Sequence, residues 1–152
     1  MMRATGKIRS LQWHEIPRAI EIFKECGVHY DVCDYQKGLM AKLQHDPDSV
    51  LVLEHERRIV AAVILVYDPW TSFIFHLAVE TQNRQKGFGS RLLDEAENRL
   101  RMRGTESIAA YILPSNARSL AMCTKRGFQT FPTKVVCVDK PLNKTGVKFS
   151  VP

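Results

Sequence analysis

Three apolar, β-branched runs follow one another with almost no chain between them, and this constrains the fold more than any other feature. Val50 to Leu53 leads through the polar stretch Glu54 to Arg58 into Ile59 to Tyr67, and Asp68-Pro69-Trp70 turns into Ser72 to Val79. Connections this short cannot carry a crossover, which takes about a dozen residues or more, so the spacing predicts an antiparallel meander. The second and third runs are nearly continuous in apolar residues, which predicts strands buried on both faces.

Helical periodicity flanks the meander. Lys7 to Leu11 reads as a first strand, followed by the stripe Trp13, Ile16, Ile20 and Phe23, closed by Gly27. Tyr35, Leu39, Met40 and Leu43 make a second stripe with Asp34 as N-cap, broken by Asp46-Pro47-Asp48. After the meander, Gly87 to Arg103 places Phe88, Leu92, Leu93, Ala96 and Leu100 on one face and Arg91, Glu95 and Arg99 toward water. Arg99, Arg101 and Arg103 suit the negative end of its dipole, and Gly104 ends it. Ser107 to Leu113 is then a strand parallel to its predecessor. Ser115 or Asn116 caps a helix to Lys125, and Phe128 to Phe131, Val135 to Val138 and Val147 to Val151 read as tail strands. The order predicts one α+β domain over residues 1–152.

Composition narrows the function classes. The 152 residues are 45% hydrophobic and 25% charged, ordinary for a globular domain. No apolar run reaches the roughly 18 to 20 residues of a membrane span, and the basic start is followed by no signal-peptide core, so a cytoplasmic protein with no membrane role is expected. Cys26, Cys33, Cys123 and Cys137 have no metal-ligand spacing and read as reduced thiols, with no metal. The net charge of +6 suits an anionic ligand. No nucleic-acid recognition motif accompanies it, so that class ranks last. Both a monomer and a homodimer are compatible.

The junction Val79-Glu80-Thr81-Gln82-Asn83-Arg84-Gln85-Lys86-Gly87-Phe88-Gly89-Ser90 joins a strong strand to the strongest helix. A helix's first turn leaves its N–H groups unpaired and carries positive dipole, which makes an anion site. Gly87 and Gly89 let anion oxygens approach the main chain, and Arg84 and Lys86 add charge. The nucleoside-triphosphate loop Gly-x-x-x-x-Gly-Lys-Ser/Thr is absent. A dinucleotide fold is disfavoured by Leu92 at its third glycine and by the antiparallel meander.

Arg84 to Gly89 resembles the Gln/Arg-x-x-Gly-x-Gly/Ala signature of the GNAT family of N-acetyltransferases. Leu77-Ala78-Val79 looks like that family's fourth strand, and Asn116, Ser119, Lys125 and Gly127-Phe128 like its Asn-x-x-Ala … Lys-x-Gly-Phe segment. Small RimI-like and YpeA-like members, with a similar Tyr-Asp turn where Tyr67-Asp68 lies, are the nearest in flavour. The resemblance implies a mixed, mostly antiparallel sheet of about seven strands, split between the fourth and fifth, with about four helices. It also implies acetyl-CoA as cosubstrate and direct transfer of its acetyl group to a primary amine. Main-chain amides from Gln85 to Ser90 would hold the pyrophosphate. Leu77 and Val79 would pair with pantetheine, the Val79 N–H polarising the thioester, and Asn116 would steady the pantetheine arm.

The family's usual base positions on the fourth strand hold Phe73 and Phe75, and its tyrosine acid is replaced by Cys123. Candidates for proton transfer are therefore Tyr111, Cys123 and Glu80, with Glu54 comparable. Each has a plainer reading: a neutral phenol, a small packed thiol, a solvated loop acid. Strand alternation sends His76 to the sheet face opposite Phe75, as a structural residue. Tyr30, Asp31, Asp34, Tyr35 and Trp70 suggest an amine-binding mouth, with the Tyr67 to Trp70 turn at its edge. A non-catalytic acyl-CoA-binding module is the alternative to an enzyme.

Overall fold

The computed structural model describes residues 5–28, 34–131, 136, 138 and 142. The chain divides into two compact units, Met1–Tyr111 and Ile112–Pro152. In the first, β1 (Lys7–Ser10), β2 (Val50–His55), β3 (Arg58–Val66), β4 (Thr71–Val79) and β5 (Ser107–Ala110) lie side by side in that order. The first four are antiparallel, as short connections require, and only β4 and β5 run parallel.

Helices α1 (Ile16–Glu25) and α2 (Tyr35–His45) cover one sheet face, where Ile16, Ile22, Phe23, Leu39 and Leu43 pack with Val50, Val52, Ala62 and Ala78. The buried stripe of α1 uses Ala19 and Ile22 rather than Trp13, which lies in a short 3-10 turn and is half exposed. Asp34 caps α2 as expected, its Oδ1 accepting the Lys37 N–H at 3.0 Å. Met40 of the predicted stripe is exposed.

Helix α3 (Phe88–Met102) covers the opposite face with Phe88, Leu92, Leu93, Ala96 and Leu100, the stripe read from the sequence. Arg91 and Arg99 do not simply face water. Arg91 Nη2 donates to the Gly6 carbonyl at 2.5 Å and Arg99 Nη1 to Ser10 Oγ at 3.0 Å, lashing α3 to the first strand.

Strand β3 is buried from Ile59 to Leu65, but β4 departs from the both-faces-buried expectation. β5 pairs only with Thr71 to Ile74, and Phe75, His76, Leu77 and Val79 are half-buried. The expected strand Ser107 to Leu113 stops at Ala110.

In the second unit α4 (Ala117–Lys125) is capped by Asn116, whose Oδ1 accepts the Ser119 N–H at 3.1 Å. The predicted strand Phe128 to Phe131 is irregular, because the chain leaves α4 through a turn with Gly127 at φ +89° and Phe128 N–H bonded back to Cys123 O. The other two tail strands lie outside the described residues except Val136 and Val138, which carry no strand. The described sheet therefore has five strands in place of about seven.

Glu80, read from the sequence as a solvated loop acid, is buried at 8% exposure. Its Oε1 accepts from Arg18 Nη2 and from Arg58 Nη2 at 3.4 Å, and its Oε2 from Asn83 Nδ2 at 2.9 Å. Hydrogen bonds to buried charge are worth roughly 1.5–3 kcal/mol. Glu80→Gln, keeping shape but not charge, is expected to lower urea-measured stability by about 1–3 kcal/mol. Glu21→Gln, which removes the exposed partner of the same Arg18, is expected to change it by less than about 1 kcal/mol.

Candidate active site

The site forms where β4 outruns β5. Glu80 N–H donates to Val60 O at 2.9 Å, so Glu80 and Val60 are a hydrogen-bonded pair of the antiparallel ladder. The next pair, Val79 with Ala61, is then a non-bonded one, and Val79 directs its N–H and C=O away from β3. Its carbonyl is met there by Cys26 Sγ at 3.3 Å and by Arg84 Nε at 3.1 Å. Its N–H points along the edge that β5 does not reach.

A bulge lies just upstream. Ile64 pairs with Phe75 and Ala62 with Ala78, leaving Val63 opposite both His76 and Leu77. His76 takes φ +51°, a left-handed conformation that a non-glycine residue adopts at a cost. The extra residue overturns the expected alternation. His76 and Phe75 both lie on the α1 and α2 side, where the His76 ring meets Phe23 edge-on at 5.6 Å and its Nε2 lies 2.7 Å from Tyr35 Oη. Periodicity could not reveal this, because a bulge adds a residue without a sequence marker such as glycine.

Beyond Val79 the chain makes a 3-10 turn, Thr81–Asn83, and enters α3. Gln85 at φ +62° and Gly87 at φ +80° are both left-handed, a backbone pattern that gathers successive N–H groups into a concave anion site. The first bond of the α3 ladder is Arg91 N–H to Gly87 O, so the amides of Phe88, Gly89 and Ser90 have no intrahelical acceptor. A Cβ on Gly89 would touch only Val79 Cγ2, at an ordinary 3.5 Å, so the fold itself tolerates a side chain there.

The two bases are placed differently from expectation. The Arg84 N–H donates to Thr81 O at 3.3 Å and its guanidinium turns back to Val79 O and Cys26, bracing the strand end. Lys86 Nζ donates to Asn83 Oδ1 at 2.8 Å, beside the loop. Glu25 of α1 accepts the Thr81 N–H at 2.8 Å, and that bond holds the Glu25 carboxyl below the usual carboxylate range.

The proton-transfer candidates separate. Glu80 is engaged by Arg18, Arg58 and Asn83. Tyr111 is 61% exposed and stacks on Phe73 at 5.7 Å, next to where β5 ends. Cys123 is buried in the second unit, and Cys26 is half-buried in the first. Glu54 is tied to Arg9 at 2.9 Å on β2. Tyr30 and Asp31 of the suggested mouth lie outside the described residues. The Tyr67 to Trp70 turn precedes β4, at the opposite end of that strand from Val79, and ends three residues before Phe73. A separate cavity of about 200 Å³ opens beside that turn, lined by Lys42, Asp46, Tyr67 and Arg103 among others. Among the described residues no three His, Cys, Asp or Glu side chains group to hold a metal, and no helix is long and apolar enough to cross a membrane.

The chain and its fold have counterparts among known proteins. An acetyltransferase of Yersinia pestis is 27% identical over 127 residues, covering 84% of this chain and 90% of that relative. The solved structure of Ard1 from Thermoplasma volcanium shares the fold at a TM-score of 0.74, with 21% identity and 82% of each chain covered. A predicted acetyltransferase of Clostridium acetobutylicum, solved with acetyl-CoA, shares it at 0.66, with 17% identity, 88% of this chain and 96% of that one. The family model described as acetyltransferase (GNAT) family matches residues 8–128, through both the strand–loop–helix junction and α4. The chain therefore belongs to the GNAT family of acetyltransferases.

Proposed function

We propose that the protein transfers the acetyl group of acetyl-CoA to a primary amine, directly, within a ternary complex. The observation that carries this reading is the left-handed loop at Gln85 and Gly87, which leaves the Phe88 to Ser90 amides at the mouth of the splayed β4 edge. A pyrophosphate seated on the amides from Gln85 to Ser90 gains both hydrogen bonds and the α3 dipole. From there the pantetheine arm runs back along Leu77 and Val79, taking the place β5 vacates. The bound structure of the Clostridium acetobutylicum relative supports acetyl-CoA as the ligand.

In this reading the amine nitrogen attacks the thioester carbon and forms the C–N bond. Negative charge gathers on the carbonyl oxygen, where the outward Val79 N–H stabilises it as a donor already fixed in place. Collapse breaks the C–S bond and expels coenzyme A as a thiolate, which needs little acid help because its pKa is near 8.5. Arg84 and Cys26 hold the Val79 carbonyl and so fix the direction of that N–H. The attacking ammonium, with a pKa of about 10 for a lysine-like amine, loses its proton to water before attack. Positioning and the amide donor supply the acceleration.

Calorimetry with acetyl-CoA and thiol release with a panel of amines test the reading; absence of coenzyme A binding overturns it. Amine kcat/KM is expected to rise up to about tenfold per pH unit between pH 7 and 9, following the free-amine fraction. The glycines give a sharper test. Gly89→Ala is expected to leave thermal stability unchanged or raised by up to about 1 kcal/mol, because alanine favours a helix, yet to weaken acetyl-CoA binding at least tenfold. Gly87→Ala forces a left-handed alanine and is expected to cost about 1–2 kcal/mol as well as binding.

A further inference from the structure

Phe73, Phe75 and Tyr111 form one aromatic cluster at the point where β4 and β5 part. Phe73 stacks on Phe75 at 5.8 Å with 20° between planes and on Tyr111 at 5.7 Å with 22°, and Phe75 lies 6.1 Å from Tyr111. Phe73 pairs with Ala109 and Ile74 with Ala110, the last rung of the β4–β5 ladder, and Tyr111 is the next residue on β5's side. The cluster therefore bridges the two banks of the split at its closed end. Phe75 anchors it to the α1 and α2 core, while Tyr111 is 61% exposed.

This inference rests on the cofactor placement proposed above. With its thioester at the Val79 N–H, the arm faces its acetyl end back along β4 toward Leu77, Phe75 and Phe73. Phe75 packs against the α1 and α2 core, so the rings stand on that face, and the exposed Tyr111 opens the cluster to an incoming amine. We propose that this cluster is the acceptor subsite and selects a small primary amine carrying an aromatic ring. The ring of such an acceptor extends the Phe73–Tyr111 stack, since aromatic pairs prefer offset or tilted contacts with centroids about 4.5–7 Å apart. Packing against three apolar rings then disfavours the charged form, which helps the nitrogen shed its proton to solvent without a dedicated base. The step balances: the amine lone pair forms the amide bond, the C–S bond breaks, and the proton leaves to water as coenzyme A departs.

The test compares 2-phenylethylamine, tryptamine, hexylamine and spermidine as acceptors for the full chain at saturating acetyl-CoA, read by thiol release. The two aryl amines are expected to exceed hexylamine and spermidine in kcat/KM by roughly 3- to 10-fold, the range one aromatic pair supplies. Tyr111→Ala is expected to raise their KM by a similar factor and to leave the KM of acetyl-CoA unchanged. Tyr111→Phe, which keeps the ring, is expected to stay within about twofold of the parent. Preference for spermidine, no turnover of aryl amines, or a collapse of kcat in Tyr111→Phe overturns the subsite. Failure of the parent protein to bind acetyl-CoA in calorimetry sinks the cofactor reading instead, so the two failures are told apart.

Discussion

The grip of α1 on the end of β4 is the interaction on which the rest of the site depends. Arg18 reaches across to Glu80 and to the Ile59 carbonyl, Glu25 takes the Thr81 amide, and Cys26 meets the Val79 carbonyl. The contacts to Val79, Glu80 and Thr81 land within two residues of the strand end, and Ile59 lies on the neighbouring β3. Together they fix the point at which extended chain becomes a left-handed loop. A glutamine held at positive φ, as Gln85 is, needs its surroundings to impose it.

Two departures from regular sheet geometry turn this strand end into a site. The bulge at His76 and Leu77 is held by the Tyr35 hydroxyl and by the edge of Phe23. The early end of β5 leaves the β4 edge from Phe75 to Val79 without its parallel partner. A regular, fully paired β4 would spend these main-chain groups on its neighbour. Here the Val79 carbonyl is taken by Cys26 and Arg84, and the proposed cofactor arm would use the outward Val79 N–H along this edge.

This dependence on main chain explains why so little charge chemistry is visible around the edge. Arg84 and Glu80, the most conspicuous ionisable residues of the junction, are spent on bracing it. The side chains nearest the parting of β4 and β5 are rings. In the proposed reaction such a site would act through preorganised donors and desolvation in place of a dedicated acid or base.

The sequence by itself determined the meander, the helices and the glycine-bearing entry to α3. Short connections force an antiparallel meander, 3.6-residue periodicity marks α3, and Gly87 with Gly89 announces a helix entry that an anion can approach. Those signals are local, so one strand of text carries them. The tertiary structure decided everything that depends on partners distant in the chain. Burial of Glu80 follows from Arg18, 62 residues away, and the turning of Arg84 follows from Cys26. His76 changes face because a bulge breaks the two-residue period on which alternation relies. The gathering of Phe73, Phe75 and Tyr111 requires more than the parallel β5 read from the sequence: it requires the register that sets Phe73 against Ala109 and the end of β5 at Ala110.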